Sequence, residues 1–434
     1  MNAPVSINVG LLGLGTVGGG VAQALAAKQK AIAAHVGCPI RVTHVLVRDA
    51  LRERRVAGGA VITSDPDEIL DDPDVRIVVE VMGGETPALD YVQRAIHAGK
   101  HVVTANKELM AKHGPEILAN AAEHHVSVQF EGSVGGGIPI IGPLVRDLLA
   151  NDITAVNAII NGTTNFMLTS MAGGDLDYAS ALRRAQELGY AEADPANDVD
   201  GIDAAYKLAI LASLAFRTRV HADDVYREGI GRLTSADFRY AEELGYVIKL
   251  LAIGRRNGST AQVRVHPALV PAEHPLAKVD GVLNAVELEG DLVGWAMFQG
   301  PGAGSDPTAS AVVGDILEIA RALAGGGCFP VPPALDGDVT LLPMADIETQ
   351  YYLRLRAADR PGVMAQVAQV LGDRQVSLAS VIQKEPPRSD GSAEIVITTH
   401  TAREAAVQEA VHAIEGLESV IEVSNLIRIE DGAR

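Results

Sequence analysis

The stretch EADPANDVDGIDAAYKLAILASLAF runs from Glu192 to Phe216 and joins an acidic segment to an apolar one. Its first twelve residues hold five carboxylates: Glu192, Asp194, Asp198, Asp200 and Asp203. Read as a helix, residues 202–216 carry only Asp203, Lys207, Ser213 and the Tyr206 hydroxyl as polar groups. A helix apolar nearly all round is a buried helix. Asp203 and Lys207 are four residues apart and project from one face. Burying an ammonium is costly, and a partner carboxylate makes it tolerable. A shielded lysine oriented by an aspartate is equipped for general acid/base chemistry. A structural ion pair with the amine reaching out to water is the plainer alternative. The acidic run suits a substrate carrying an ammonium group, and its plain alternative is a solvated loop.

A second pattern points to a cofactor. In INVGLLGLGTVGGG, Gly13, Gly15 and Gly18 stand in G-x-G-x-x-G spacing after an apolar strand pattern and before a helical one. The first glycine permits a tight turn, the second a close approach of pyrophosphate, the third helix–strand packing. The opening turn of that helix favours phosphate. The next strand ends VLVRDA, so Arg48 comes before Asp49. An arginine there accommodates a 2′-phosphate, which favours NADP over NAD. A later strand ends at Thr104 and is followed by Lys107, at the sheet edge where such folds hold ligands. FEGSVGGGIP (130–139) has glycines that would let carbonyls turn inward, though alone it reads as a flexible loop.

The elements that position these groups follow from periodicity. Strand patterns at 7–12, 41–47, 76–81, 100–104 and 126–130 alternate with helical ones at 18–34, 87–98 and 115–124. That alternation predicts a Rossmann-type parallel sheet over residues 1–141, completed by a helix near 308–325. From 142 to 330, longer helices (179–188, 202–216, 235–250) mix with strands (154–161, 262–269, 281–289), giving an α+β catalytic and oligomerisation domain. Residues 325–349 read as a connection. The last unit, 350–434, shows the βαββαβ order of a ferredoxin-like domain, with a helix ending near Leu371 before Gly372.

Composition narrows the function. A net charge of −19 disfavours nucleic acid and anionic membrane as partners. Cys38 and Cys328 show no metal-ligand or disulfide spacing, as expected in a reducing cytoplasm. Neither a signal peptide nor a run of about 18 apolar residues is evident. HExxH and G-x-S-x-G are absent, and neither cysteine sits in a recognisable nucleophile motif.

Together the motifs resemble homoserine dehydrogenase of the form with a C-terminal ACT domain. The carriers are GLLGLGTVG (10–18), VVTANK (102–107), FEGSVGGGIPI (130–140), NGTTNFML (161–168), LGYAEADPANDVDGIDAAYKLAILA (188–212), GPGAGSDPTASAV (300–312) and DRPGV (359–363). The resemblance implies reversible NAD(P)H-dependent reduction of L-aspartate 4-semialdehyde to L-homoserine. It implies acid/base work at Lys207, with Lys107 a second active-site lysine. Glu192 would bind the substrate amino group, with Asp203 and Asp198 in the substrate site. Cofactor contacts would fall on Gly13, Thr16, Val17, Lys107, Gly189 and Gly302 or Gly304. A sodium site would use Glu131 and backbone oxygens of Val134, Gly136 and Ile138. Gly132 and Gly136 stand where relatives often have alanine. The ACT unit would sense threonine at Asp359, Pro361, Gly362 and Val363, in a homo-oligomer, dimer or tetramer. The rival is a nucleotide- and amino-acid-sensing regulator without catalysis.

Overall fold

The computed structural model describes residues 6–50, 56–174, 176–326, 329, 334–384 and 390–430. Cys328 and residues 385–389 lie outside them. The chain divides into two units. One comprises Met1–Val156, Tyr206–Val225 and Leu283–Val339; the other comprises Asn157–Ala205, Tyr226–Val282 and Thr340–Arg434.

The first unit is built on β1 (Ile7–Leu12), β2 (Ile40–Leu46), β3 (Val61–Thr63), β4 (Val75–Glu80), β5 (His101–Thr104) and β6 (Val128–Gln129). They are parallel, in the order β3-β2-β1-β4-β5-β6. This is the doubly wound Rossmann order, which reverses between β1 and β4 and opens a crevice at the carboxyl ends there. β1, β4 and β5 at the centre of the sheet are almost wholly buried, as covered parallel strands are, while β2 and β3 are partly exposed. Val9, Leu11, Ile77 and Val79 pack in one core with Val21 and Leu25 of the helix Thr16–Ala27. The helix Ser305–Ala324 returns from far along the chain and adds Val312, Ile316 and Ile319 to that core.

In the second unit, Tyr246–Asn257 and Thr260–Pro271 form a long antiparallel pair. Thr260–Pro271 also pairs in parallel with Val420–Ile429, through Ala268–Arg428 and Leu269–Ile429. Val420–Ile429 belongs to a ferredoxin-like βαββαβ module with Glu348–Ala358, Val363–Asp373, Leu378–Ile382, Ser392–Thr399 and Glu404–Glu415. Its core is Tyr351, Leu353, Leu355, Val367, Ile397, Val407 and Ile414.

Four expected elements differ. The predicted helix 18–34 is two helices, Thr16–Ala27 and Gln29–Val36, meeting at Lys28. The predicted helix 235–250 ends at Glu243, and Tyr246–Asn257 is a strand. Gly245, with φ at 83°, makes the break, and YVIKLLAI that follows suits a strand. The helix expected at 115–124 spans Lys107–Glu123, with Pro115 inside it. Helix Val363–Asp373 runs past Gly372, and the left-handed residue after it is Gln375, with φ at 59°. Among the described residues, no helix is long and apolar enough to cross a membrane, and Cys38 is a buried free thiol.

Candidate active site

In the first unit, two of the three glycines after β1 stand where a side chain would not fit. Gly13 has φ at 106°, and a Cβ on it would lie 3.0 Å from the Val81 carbonyl oxygen. A Cβ on Gly18 would sit 2.2 Å from the Gly13 oxygen. Gly15, by contrast, is exposed with open space beside it. It is the N-cap of the helix Thr16–Ala27 and makes no side-chain cap hydrogen bond. Thr16 is exposed and Val17 half-buried at this turn. The helix Ser305–Ala324 starts nearby from Gly304, also without a side-chain cap. Ser305 Oγ donates to the Thr16 carbonyl at 2.9 Å, so the loop holding Gly302 and Gly304 meets the β1 turn. Arg48 is exposed just beyond the carboxyl end of β2.

Lys107 is exposed at the first position of its helix. The turn that presents it is fixed by Asn106, Thr104 and Glu80, the last not singled out from the sequence. Asn106 caps the helix by accepting from the Leu109 N–H at 3.1 Å, and its amide donates to the Gly84 carbonyl at 2.6 Å. Glu80, fully buried at the end of β4, accepts from the Thr104 hydroxyl at 2.7 Å and the Met82 N–H at 2.8 Å. Burial pushes the Glu80 carboxyl above its usual range, against the pull of these donors. Thr104 is buried and its hydroxyl is committed to Glu80 and the Asn106 N–H. The signal for Glu80 was a lone acid closing an apolar strand.

Glu131 lies between the sheet and the segment 138–147. Its carboxylate accepts from the N–H groups of Ile140 at 2.5 Å, Ile141 at 2.8 Å and Gly142 at 2.7 Å. Its own N–H donates to Asp315 at 2.9 Å. Val134 and Ile138 are buried, and Gly135 and Gly136 have φ at 71° and 57°. A Cβ on Gly136 would lie 2.4 Å from the Gly302 oxygen. A Cβ on Gly132 would lie 2.9 Å from that of Ala105. Close packing of the 300–304 loop therefore accounts for glycine at 136.

The helix Ile202–Phe216 exists as expected, and both Asp203 (3% exposed) and Lys207 (9% exposed) are buried. In the second unit, Asn161 draws two of the acids together. Its amide nitrogen donates to Asp198 at 2.7 Å and to Asp203 at 2.9 Å. Glu192 and Asp200 remain exposed on the run, and Gly189 is exposed with φ at 74°. Asp359, Pro361 and Gly362 form an exposed turn leading to buried Val363. Gln383 donates to Asp359 at 3.2 Å there. Lys249, absent from the sequence reading, is a buried lysine held by the Val279 carbonyl at 2.6 Å and Asp280 at 3.0 Å.

A Rossmann sheet with a glycine-rich turn after β1, in a chain that also holds a buried helix carrying Asp203 and Lys207 one turn apart, fits the class of nicotinamide-dependent dehydrogenases. Comparison with known proteins narrows the class. Residues 139–317 match the homoserine dehydrogenase family model, 13–131 its NAD-binding domain and 351–416 the ACT domain. Homoserine dehydrogenase of Neisseria gonorrhoeae is 45% identical over 429 residues, covering 98% of each chain. That of Bacillus subtilis is 42% identical, again covering 98% of each. The crystal structure of a homoserine dehydrogenase from Thiobacillus denitrificans superposes with a TM-score of 0.94 at 45% identity, covering 99% of this chain and 100% of that one. A hyperthermophilic archaeal homoserine dehydrogenase in complex with NADPH gives 0.61 at 27% identity, covering 72% of this chain and 97% of that one. The chain belongs to the homoserine dehydrogenase family and is an oxidoreductase with an NAD-binding domain and an ACT domain.

Proposed function

We propose that the enzyme interconverts L-aspartate 4-semialdehyde and L-homoserine in the cytoplasm, with NADP as preferred cofactor and Lys207 as acid/base. The observation that carries the reading is the burial of Lys207 one turn after Asp203 in a helix with almost no polar face. Bound NADPH would supply the hydride for reduction of the aldehyde carbon. The turn at Gly13, Gly15, Thr16, Val17 and Gly18 would hold its pyrophosphate, and Gly189, Gly302 and Gly304 would complete its contacts. Arg48, exposed past β2, supports the preference for a 2′-phosphate. Lys207 would deliver a proton to the carbonyl oxygen as it becomes an alcohol, and take it back in the reverse direction. Lys107, held at a capped helix start, would bear on the same polar groups as a second lysine. Glu192, Asp198 and Asp203 would receive the substrate ammonium.

Glu131 with the carbonyl oxygens of Val134, Gly136 and Ile138 is an all-oxygen donor set that suits a hard cation such as sodium. Its carboxylate already accepts three backbone N–H groups, so the ion would add rigidity to a loop that holds without it. The exposed turn at 359–362, with Val363 buried behind it, would take threonine as feedback effector, and a homo-oligomer of two or four chains would be the working assembly. Steady-state NADPH and NADH oxidation with aspartate semialdehyde, with and without threonine, tests these points. Expected are turnover, a lower KM for NADPH and inhibition by threonine. No oxidation of either cofactor by folded protein would sink the catalytic reading.

A further inference from the structure

Asn161 opens the NGTTNFML motif, and nothing in the reaction as read above gives it a task. It follows the strand Ile153–Ile159 and is the N-cap of the helix Gly162–Ala172. The side chain is 6% exposed. Its oxygen accepts from the Thr164 N–H at 2.9 Å and the Thr164 hydroxyl at 3.0 Å. Its nitrogen donates to Asp198 Oδ1 at 2.7 Å and Asp203 Oδ2 at 2.9 Å. The partners assign the amide orientation. Turned over, the oxygen would face two carboxylates, and the NH2 group would face a backbone donor. Both N–H bonds of one amide are thus spent on two acids from separate segments, the short helix Ala196–Val199 and the first turn of Ile202–Phe216.

We infer that Asn161 is a positioning residue for the reaction: its amide clamps Asp198 and Asp203 together, fixing where the substrate ammonium is received. Two like charges at one place repel unless donors lie between them. The NH2 group is such a donor, and it carries no charge to compete with the ammonium. A capping residue alone needs only its oxygen. A serine or aspartate at 161 would cap the helix as well as asparagine does, while the nitrogen's two bonds have no part in capping. The inference rests on the reading that these acids bind the substrate amino group.

Four variants test it, using the full-length enzyme and aspartate semialdehyde. Asn161→Ser keeps a cap and removes the clamp. Asn161→Asp keeps the cap and puts a third carboxylate where the donor was. Asp198→Asn and Asp203→Asn remove each acid in turn. Concentrations are corrected to the folded fraction by NADPH titration, and melting is followed by circular dichroism. The expected result is a KM for the semialdehyde raised at least tenfold in Asn161→Ser and further in Asn161→Asp. The cofactor Kd should stay within twofold, and kcat should fall much less than KM rises. A wild-type KM in Asn161→Ser overturns the inference, as does an equal fall of kcat and kcat/KM. If both acid-to-amide variants keep the wild-type KM, the ammonium reading itself fails. If they are impaired and Asn161→Ser is not, only the clamp is lost.

Discussion

At the scale of the residue, Lys207 is the proposed acid/base group, and its replacement tests that role. Replacing it by methionine keeps the length and apolar stem and removes the amine. Turnover is expected to fall by a factor on the order of 10²–10⁴, the usual worth of a positioned acid/base group. The melting temperature and NADPH affinity should be largely kept. Near-normal turnover in Lys207→Met would remove the acid/base role. The sequence made Asp203 and Lys207 legible because helical spacing alone puts them on one face of an apolar helix. Asn161 and Glu80 were not legible. A lone acid at a strand end sets Glu80 apart, but the partners that give these residues their roles lie 24 and 42 residues away, in Glu80–Thr104 and Asn161–Asp203, and no local pattern names them.

Among the elements, β5 carries both the Thr104 end that leads to Lys107 and a pH-sensitive group. His101 is buried, its Nδ1 accepts from the Ser127 N–H at 3.0 Å, and its ring stacks at 4.2 Å on Phe329. Burial, with Arg76 adding to it, pushes its pKa down to about 4. The folded state therefore binds a proton less readily than the unfolded chain does, near 6.5. The stabilisation tied to neutral His101 is present above about pH 6.5 and is lost as pH falls toward about 4, at no more than about 1.4 kcal/mol per unit. Melting temperatures measured from pH 7.5 to 4 should fall less steeply in His101→Gln than in wild type, whatever the offset at pH 7.5. Parallel slopes would show that His101 is not the sensor. Element boundaries were the weaker part of the sequence reading. At 235–250 helical and strand patterns adjoin, and a positive-φ glycine at 245 decided between them.

For the whole molecule, the ferredoxin-like module does not hang as a separate bead. Within the second unit its strand Glu348–Ala358 sends Arg354 to the fully buried Asp237, with contacts of 2.8 and 3.1 Å, and to Glu394 at 3.4 Å. Arg428 bridges Glu228 at 2.7 Å and also pairs with Glu404. Asp237 also caps the helix Ser235–Glu243 through the Thr234 N–H at 2.9 Å. Removing one partner of such a pair strands the other charge. Arg354→Ala should cost about 3–5 kcal/mol of unfolding free energy, read by urea denaturation, whereas Arg356→Ala at a more exposed pair should cost under about 1 kcal/mol. Equal small losses would show that the buried seam contributes little to holding the module.

What the sequence alone determined is whatever is written in short-range spacing. The glycine-rich turn, the buried helix with Asp203 and Lys207, the alternation that makes a parallel sheet and the βαββαβ module each depend on residues a few positions apart. Only the tertiary structure decided which distant groups meet. It brought the 300–304 loop onto Gly136, returned a helix from residue 305 to the β1 core, and set Asn161 between two acids more than 35 residues downstream. Those contacts arise from packing and from the need to satisfy every buried polar group. Neither leaves a periodic trace along the chain.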